Sequence, residues 1–390
     1  MKTRKLARTG DAISAARRSR IWRTLALLMC ALLLAWIARF YHPGTGFSSL
    51  LIVPAGHELE IPAFRSVPHY EYPPHVAYDG YMYAQLAMDP LLRDPAIDVA
   101  LDHPAYRARR ILFAWTAWAL GLGRPAWILQ AYSVQNVLCW LLLAWVMTRW
   151  FPLDRVAHFA LWTGCMFSQG LLMSVRLSLL DGPSLLLIAC AVAGAERGRV
   201  WLTAAVLSLA ALGRETNLLA LLAFPRPRGL RCWLQLTGAL IVAITPVLLW
   251  QDYVWSIYRG ASMSAGAEHI VIPFVAYLDK WRTTMVGVGV HGWISPPGVT
   301  LPVLVALTIQ AVFVAWTRAW SEPWWRIAAA WAALMFVVDP SVWDGYPGAI
   351  TRIVLPMKFG FNVLLARGNP QRFWLWLCAG NLDLIASLHQ

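Results

Sequence analysis

The chain has few charged residues and few cysteines for its length. Only 14% of its 390 residues are Asp, Glu, Lys or Arg, and 59% are hydrophobic, whereas a water-soluble domain carries about 25% charged residues. The 6 cysteines include no Cys-x-x-Cys pair, so they give no sign of a zinc site or of a disulfide framework. Because they lie in or beside apolar runs, we interpret them as small buried hydrophobic residues.

Several motifs of soluble enzymes are also missing. The sequence contains no Walker A motif and no Gly-x-Ser-x-Gly turn, and its histidines never have the His-Glu-x-x-His spacing. No segment predicted to be cytoplasmic is long enough to hold a nucleotide-binding domain. These absences argue against a nucleotide-driven cytoplasmic activity and give a zinc site little support.

Apolar runs instead recur along the chain and predict an all-α, polytopic membrane protein with a single membrane domain over residues 24–390. A basic tail, residues 1–23, precedes a first span over residues 24–40, which is not followed by a signal-peptide cleavage site. With ten further stretches, about eleven transmembrane helices are expected, several of them short, broken or tilted. These stretches are Trp127–Met147, Val156–Val175, Pro183–Gly194, Val200–Leu212, Leu218–Phe224, Trp233–Val254, Val299–Trp316, Ile327–Val338, Ile353–Leu365 and Phe373–Leu388.

Arginines in the short loops predict the orientation in the membrane. Positive residues concentrate on the cytoplasmic side of membrane proteins, and this rule explains the net charge of +13 without a nucleic-acid partner. The N-terminus is then predicted to be cytoplasmic, and residues 41–125 and 253–297 to form two large external loops. Ile111–Gly123 is too short to span and is predicted to be an interfacial amphipathic helix.

The most polar part of the chain is the first of these loops, residues 41–125, called the first loop below. Asp79 is interpreted either as a residue near a helix N-cap or as a general base or metal ligand. The arginines either hold lipid phosphates nonspecifically or bind one phosphate in a bidentate manner. The polar residues form two groups, Tyr78-Asp79-Gly80 with Tyr81, Tyr83 and Asp89, and Tyr106-Arg107-Ala108-Arg109-Arg110.

Charged residues outside the first loop are predicted to return to the same outer surface. Arg214-Glu215 interrupts an apolar run, and Asp181 and Arg352 each stand next to a predicted short helix. Charges at membrane depth are costly and are usually paired or functional. For Arg214-Glu215 the alternative is a self-satisfied turn between two short helices.

The order of these parts resembles the GT-C superfamily of integral-membrane glycosyltransferases. The likeness lies in the long first loop with an acid, the segment that opens with Tyr106-Arg107-Ala108-Arg109-Arg110, the many short spans and the charged turn at Arg214-Glu215. The first loop also resembles bacterial membrane proteins linked to cell-surface glycopolymers. The resemblance implies an inverting transfer from a polyprenyl-phosphate-linked sugar to a glycan, lipid or protein acceptor at the external face of the bilayer.

A role for each polar residue follows from this resemblance. Asp79 would be the general base, with Asp89 as a second catalytic residue. Because Asp79 is followed by Gly80 rather than by an Asp-x-Asp or Asp-Glu pattern, the identity of the base stays open, and so does the need for Mg²⁺ or Mn²⁺. Donor phosphate would be bound by Arg107, Arg109, Arg110, Arg214 and Arg352, and the substrates also by Tyr81, Tyr83, Tyr106, Asp181 and Glu215.

Two other functions are consistent with the same residues. A glycan polymerase or ligase with a polyprenyl-diphosphate donor would also use the arginines, whereas a lipid or glycan transporter would carry acids along a path through the membrane. The acids are predicted to cluster at one face, which disfavours a transporter. In the second external loop, Glu268, His269, Asp279 and Lys280 are expected to select the acceptor.

Overall fold

The computed structural model describes residues 2–56, 60–259, 270–345, 349–368 and 371–387, with side chains described from residue 19 onward. Glu268 and His269, which were expected to select an acceptor, lie outside these residues. The described residues are mostly helical and have two strands of two residues each, so the all-α class is confirmed.

In the first half of the chain, the long helices Lys2–Ala38 and Pro125–Met147 stand on either side of a set of short elements, and two further short helices follow the second long helix. Two two-residue strands pair in parallel, with Val53 opposite Glu71. The elements are α1 (Lys2–Ala38), a 3-10 turn (Ser48–Leu50), β1 (Val53–Pro54), α2 (Pro62–Arg65), β2 (Glu71–Tyr72), α3 (Asp79–Met88), α4 (Ile97–Ala100), α5 (Pro104–Ala108), α6 (Leu112–Leu120), α7 (Pro125–Met147), α8 (Val156–Met166) and α9 (Gln169–Arg176).

The second half alternates long and short helices. Several begin with proline, whose fixed φ suits the first helical position. The elements are α10 (Asp181–Glu196), α11 (Val200–Gly213), a 3-10 helix (Glu215–Ala223), α12 (Leu230–Ile257), α13 (Val275–His291), α14 (Pro296–Thr317), α15 (Pro323–Val337), α16 (Pro340–Asp344), α17 (Ala349–Ile353), α18 (Leu355–Gly368), α19 (Phe373–Gly380) and α20 (Asp383–Ser387).

Four helices of the described residues are long and apolar enough to cross a bilayer. They are Ser19–Ala38 within α1, then α7, α12 and α14. This fits a membrane protein, in which helices satisfy their own backbone hydrogen bonds. It does not fit the expected eleven spans, because many of the apolar stretches form helices that are too short or broken.

The expected span Val156–Val175 is broken into α8 and α9. The break falls at Ser168, whose hydroxyl donates to the carbonyl oxygen of Cys165 at 2.9 Å. A serine hydroxyl that bonds the backbone in this way competes with the continuing helix. The predicted single span is therefore wrong.

The expected span Leu218–Phe224 belongs to the 3-10 helix Glu215–Ala223, which packs beside α11 and α15. At about 2.0 Å per residue, nine residues of 3-10 helix extend only about 18 Å. Asn217 donates from Nδ2 to the carbonyl oxygen of Ala210 at 2.7 Å and so closes the end of α11. The segment is a short return of the chain and is too short to cross a bilayer of about 30 Å by itself.

The expected span Phe373–Leu388 is also interrupted, between α19 and α20. Asn381 lies at the break and donates from Nδ2 to the carbonyl oxygen of Leu377 at 2.9 Å. It also exchanges hydrogen bonds with Asn362 of α18. Leu388 itself lies outside the described residues.

The predicted second external loop contains a 17-residue helix, α13. Its C-terminal end carries Gly287, Gly289 and Gly292, which have the Gly-x-Gly-x-x-Gly spacing of dinucleotide-binding proteins. That fingerprint requires a strand before the glycines and a helix after them. Here the glycines end a helix, so the spacing indicates no dinucleotide site.

The first loop is folded onto the membrane helices. Its buried apolar side chains form one cluster with residues of α7, α11 and α12. The indole of Trp250 donates to the carbonyl oxygen of Ala108 at 2.8 Å, and Tyr253 donates to that of Leu91 at 2.6 Å. The segment Ile111–Gly123, which was predicted to be an interfacial helix, contains α6. This helix packs against α3 and α7. These contacts attach the first loop, with its arginines, to the helices beside it.

Candidate active site at the first loop

A cavity of about 490 Å³ lies between the first loop and the segments from α10 to α17. Its lining combines acids, arginines and tyrosines with apolar side chains. Most of the site residues predicted from sequence meet here, although they come from distant parts of the chain. These are Asp79, Tyr83, Tyr106, Arg107, Arg110, Asp181, Arg214, Glu215 and Arg352.

Asp79 is the first residue of α3, and Tyr78 holds the N-cap position. Asp79 is therefore adjacent to the N-cap position, as predicted, but is not itself the N-cap. The next residue, Gly80, is required by close packing, because a Cβ there would lie 2.5 Å from the carbonyl oxygen of Leu177. This contact gives a physical reason for Asp79 to be followed by glycine.

Arg107 joins two carboxylates of the first loop. Its Nε and Nη2 donate to both oxygens of Asp102, at 2.9 and 2.7 Å, and Nη2 also donates to Oδ1 of Asp79 at 3.0 Å. Burial raises the pKa of Asp102, but the hydrogen bonds and charge of Arg107 outweigh burial and bring the pKa below its ordinary value. Burial opposes the charge of Arg107, yet Tyr83 and the two acids raise its pKa.

Arg110 connects the first loop to the 3-10 helix after α11. It pairs with Glu215 through two hydrogen bonds, Nε to Oε2 at 2.9 Å and Nη2 to Oε1 at 2.6 Å. Such a two-pronged pair is directional and strong. Burial raises the pKa of Glu215, but Arg110 outweighs it and brings that pKa to about 2. The pair is therefore charged on both sides at neutral pH.

Asp181, the first residue of α10, is shared by two arginines. Arg214 donates from Nη1 to its Oδ1, and Arg352 donates from Nη1 to its Oδ2 at 3.2 Å. The Nε atoms of both arginines are buried and have no hydrogen-bond partner among the described residues. Burial, followed by the positive charge of Arg110, lowers the pKa of Arg214 to about 10. This part of the cavity therefore has too little negative charge for its arginines.

Tyrosines hold the guanidinium groups in place. The hydroxyl of Tyr106 accepts from Nη2 of Arg110 at 2.5 Å, and the centre of its ring lies 4.2 Å from that guanidinium carbon. The ring of Tyr83 lies 5.4 Å from the guanidinium carbon of Arg107. Tyr78 accepts from Nη2 of Arg352 at 2.5 Å. Cation–π contacts and phenol hydrogen bonds of this kind restrict where the arginines can point.

Three predicted site residues do not line the cavity. Asp89 lies at the C-terminal end of α3, where its Oδ2 accepts from the backbone N–H of Asp94 at 2.8 Å. Tyr81 is buried in the core of the first loop. The guanidinium of Arg109 lies 5.2 Å from the centre of the Tyr106 ring, and this residue is outside the cavity lining.

Other lining residues were not predicted from the sequence. Asp102 stands directly before His103 and Pro104, and Pro104 begins α5, so the acid before this short helix was a usable signal. The apolar wall of Leu334, Val338 and Val342 comes from α15, its C-terminal cap and α16. Nothing in the local sequence of these apolar residues marks them as part of a site.

The cavity is divided by charge. At one end Arg107 lies between the two carboxylates of Asp79 and Asp102, which leaves an excess of negative charge. At the other end the two arginines around Asp181 leave an excess of positive charge. The ion pair of Arg110 and Glu215, whose two charges cancel, belongs to the same lining. Such an arrangement can bind an anion at one end and accept a proton at the other.

Comparisons with protein family models, with curated proteins and with solved structures find no match to this chain.

Proposed function

We propose that this protein is a membrane glycosyltransferase of the GT-C type. It transfers a sugar from a polyprenyl-phosphate donor to a hydroxyl group of a cell-envelope glycan, lipid or protein. The observation that carries the proposal is the division of a single cavity into a cationic end and an acidic end, with an apolar wall beside them.

The cationic end suits the phosphate of the donor. Arg214 and Arg352 share one carboxylate, and each keeps a buried Nε–H without a partner among the described residues. A buried N–H without an acceptor costs free energy, and a phosphate oxygen would satisfy it. The same arginines would stabilise the negative charge that develops on the leaving phosphate.

The acidic end suits the acceptor. Both oxygens of Asp102 accept from Arg107, whereas among the described residues Asp79 accepts from Arg107 only through Oδ1. Oδ2 of Asp79 is therefore the better proton acceptor. In the proposed step the acceptor oxygen bonds to the anomeric carbon and loses its proton to Asp79. The bond from that carbon to the phosphate oxygen breaks, and polyprenyl phosphate leaves with the electron pair, which inverts the anomeric centre.

The apolar wall suits the lipid part of the donor. Leu334, Val338 and Val342 line the same cavity as the arginines. Isoprene units next to the phosphate would bury apolar surface there, at about 25 cal/mol per Å². In the proposed orientation the N-terminus is cytoplasmic and the cavity opens toward the external face of a bacterial plasma membrane.

The proposal is tested by the lipid that purifies with the protein. The wild-type protein, extracted in mild detergent, is expected to carry a polyprenyl monophosphate ester that mass spectrometry identifies. Arg352→Lys keeps the charge but loses the planar guanidinium, which bonds Asp181 and Tyr78 through separate nitrogens and carries the unpaired Nε–H, so lipid retention should fall about tenfold or more. Arg109→Lys, outside the cavity lining, is the matched control and should retain the lipid.

Two results would change the assignment. A polyprenyl diphosphate in place of the monophosphate would favour the glycan polymerase or ligase. Ordinary membrane phospholipids alone, equal in the wild type and in Arg352→Lys, would contradict a polyprenyl-linked donor.

A further inference from the structure

The resemblance to GT-C enzymes leaves the need for a divalent metal ion open, and the geometry at Asp79 bears on it. A Mg²⁺ or Mn²⁺ ion needs several oxygen ligands in near-octahedral geometry at about 2.0–2.1 Å. Among the described residues there is no group of three or more His, Cys, Asp and Glu side chains that could hold such an ion. The two first-loop carboxylates of the cavity, Asp79 and Asp102, are both bound to Arg107.

The guanidinium of Arg107 lies between these carboxylates and is held there by burial and by its hydrogen bonds. It is only 7% exposed and makes two hydrogen bonds to Asp102. Its guanidinium carbon lies 5.4 Å from the centre of the Tyr83 ring, and this tyrosine is itself 2% exposed. A metal ion could enter only by displacing a buried, paired guanidinium, which would then lose its partners. The residues present therefore do not fit a divalent metal ion.

We infer that the guanidinium of Arg107 takes the place of a divalent cation between Asp79 and Asp102. This inference rests on the proposed function in one respect: the reaction that would proceed without a metal ion is the proposed sugar transfer. Arg107 is a positioning residue: it holds Oδ1 of Asp79 at 3.0 Å and makes no hydrogen bond to Oδ2 of this residue, which lines the cavity. Charge on the leaving phosphate is carried by Arg214 and Arg352 instead of by a metal ion.

A manganese titration tests the cation assignment without any measurement of activity. Full-length protein in lipid nanodiscs is titrated with Mn²⁺, and free Mn²⁺ is followed by electron paramagnetic resonance. The wild type, Asp79→Asn and Asp102→Asn should give the same titration curve, because no metal site exists between the two carboxylates. A site in the wild type with a dissociation constant below about 1 mM, lost in both variants, would overturn the inference.

Transfer assays test the chemical consequence. EDTA should leave the wild-type rate unchanged, and Arg107→Ala should lower it at least about tenfold, with partial recovery on addition of free guanidinium ion. If Arg107→Ala does not fold, Arg107→Lys replaces it and should also lower the rate, because one ammonium cannot bridge both acids as the fork does.

Loss of the wild-type rate in EDTA and its recovery with Mg²⁺ or Mn²⁺ would overturn the inference. A different experimental result would contradict the proposed function. A wild-type protein that transfers no sugar from any polyprenyl donor defeats the proposed function, whereas the manganese titration still decides whether Arg107 excludes a metal ion.

Discussion

At the scale of single residues, the candidate site depends on which oxygen and nitrogen atoms are already paired. Asp79 and Asp89 look alike in the sequence, since both are acids at an end of the same short helix. The structure distinguishes them because Asp89 bonds the backbone of Asp94, whereas Asp79 faces Arg107 and the cavity. Composition and charge could predict that the first loop is polar, but not which acid faces the arginines.

Asp102 is a second acid whose place in the site could not be predicted from the sequence. It could be read from the sequence only as an acid before a proline-started helix. Both carboxylate oxygens of Asp102 accept hydrogen bonds from Arg107, because the turn of α5 brings the two side chains together. Pairing of this kind is set by the folded backbone and leaves no mark in composition.

Gly80→Ala tests the close packing at the start of α3. The added Cβ would lie 2.5 Å from the carbonyl oxygen of Leu177 and 3.1 Å from that of Leu51, and neither backbone atom can move freely. The substitution should destabilise the protein by about 1–3 kcal/mol, measured as a lower midpoint of thermal unfolding in detergent.

The matched control for that substitution is Gly289→Ala in α13. A Cβ at Gly289 meets no atom within 4 Å, so this change should alter the free energy of unfolding by no more than about 1 kcal/mol. Equal losses for the two variants would contradict the packing explanation for Gly80.

At the scale of elements, the sequence predicted where apolar helices occur better than where they end. Apolar periodicity located α7, α12 and α14 to within a few residues. The breaks at Ser168 and Asn381 arise from side chains that bond nearby backbone carbonyl oxygens. Such bonds compete with helix continuation only when the surrounding packing favours them, and a hydropathy pattern contains no record of that packing.

The small parallel pair of β1 and β2 carries a pH-dependent contact. His69 lies two residues before the start of β2, with Nε2 at 3.5 Å from Glu60 and 3.8 Å from Glu71. Burial lowers the pKa of His69, but Glu60, the carbonyl of Val67 and Glu71 outweigh burial and bring the pKa above its ordinary value. The folded state therefore favours protonated His69. This contribution to stability is complete below about pH 6.5 and is lost as pH rises through the folded-state pKa.

Hydrogen–deuterium exchange of residues 60–72 should therefore be slower at pH 6 than at pH 8, after correction for the intrinsic pH dependence of exchange. His69→Gln removes the titrating group, so the corrected difference should disappear in that variant. A corrected difference that persists in His69→Gln would show that another group controls the stability of this segment.

At the scale of the whole molecule, the prediction that charged segments return to one surface agrees with the cavity. Asp181, Arg214 and Arg352 are far apart in the chain and meet within hydrogen-bonding distance. Their convergence could be predicted only as a shared side of the membrane, from the alternation of arginine-rich loops. The geometry that makes two arginines share one carboxylate depends on the packing of α10, α11 and α17, which the sequence does not reveal.

The most direct test of the account measures sugar transfer by Asp79→Asn and Asp89→Asn side by side. Purified protein in lipid vesicles receives labelled polyprenyl-phosphate sugars, with envelope glycans and lipids as acceptors, and labelled product is counted. The wild type and Asp89→Asn should turn over at similar rates, whereas Asp79→Asn should be slower by at least about 100-fold with an unchanged unfolding midpoint. A folded Asp79→Asn protein that transfers sugar at the wild-type rate would contradict the account.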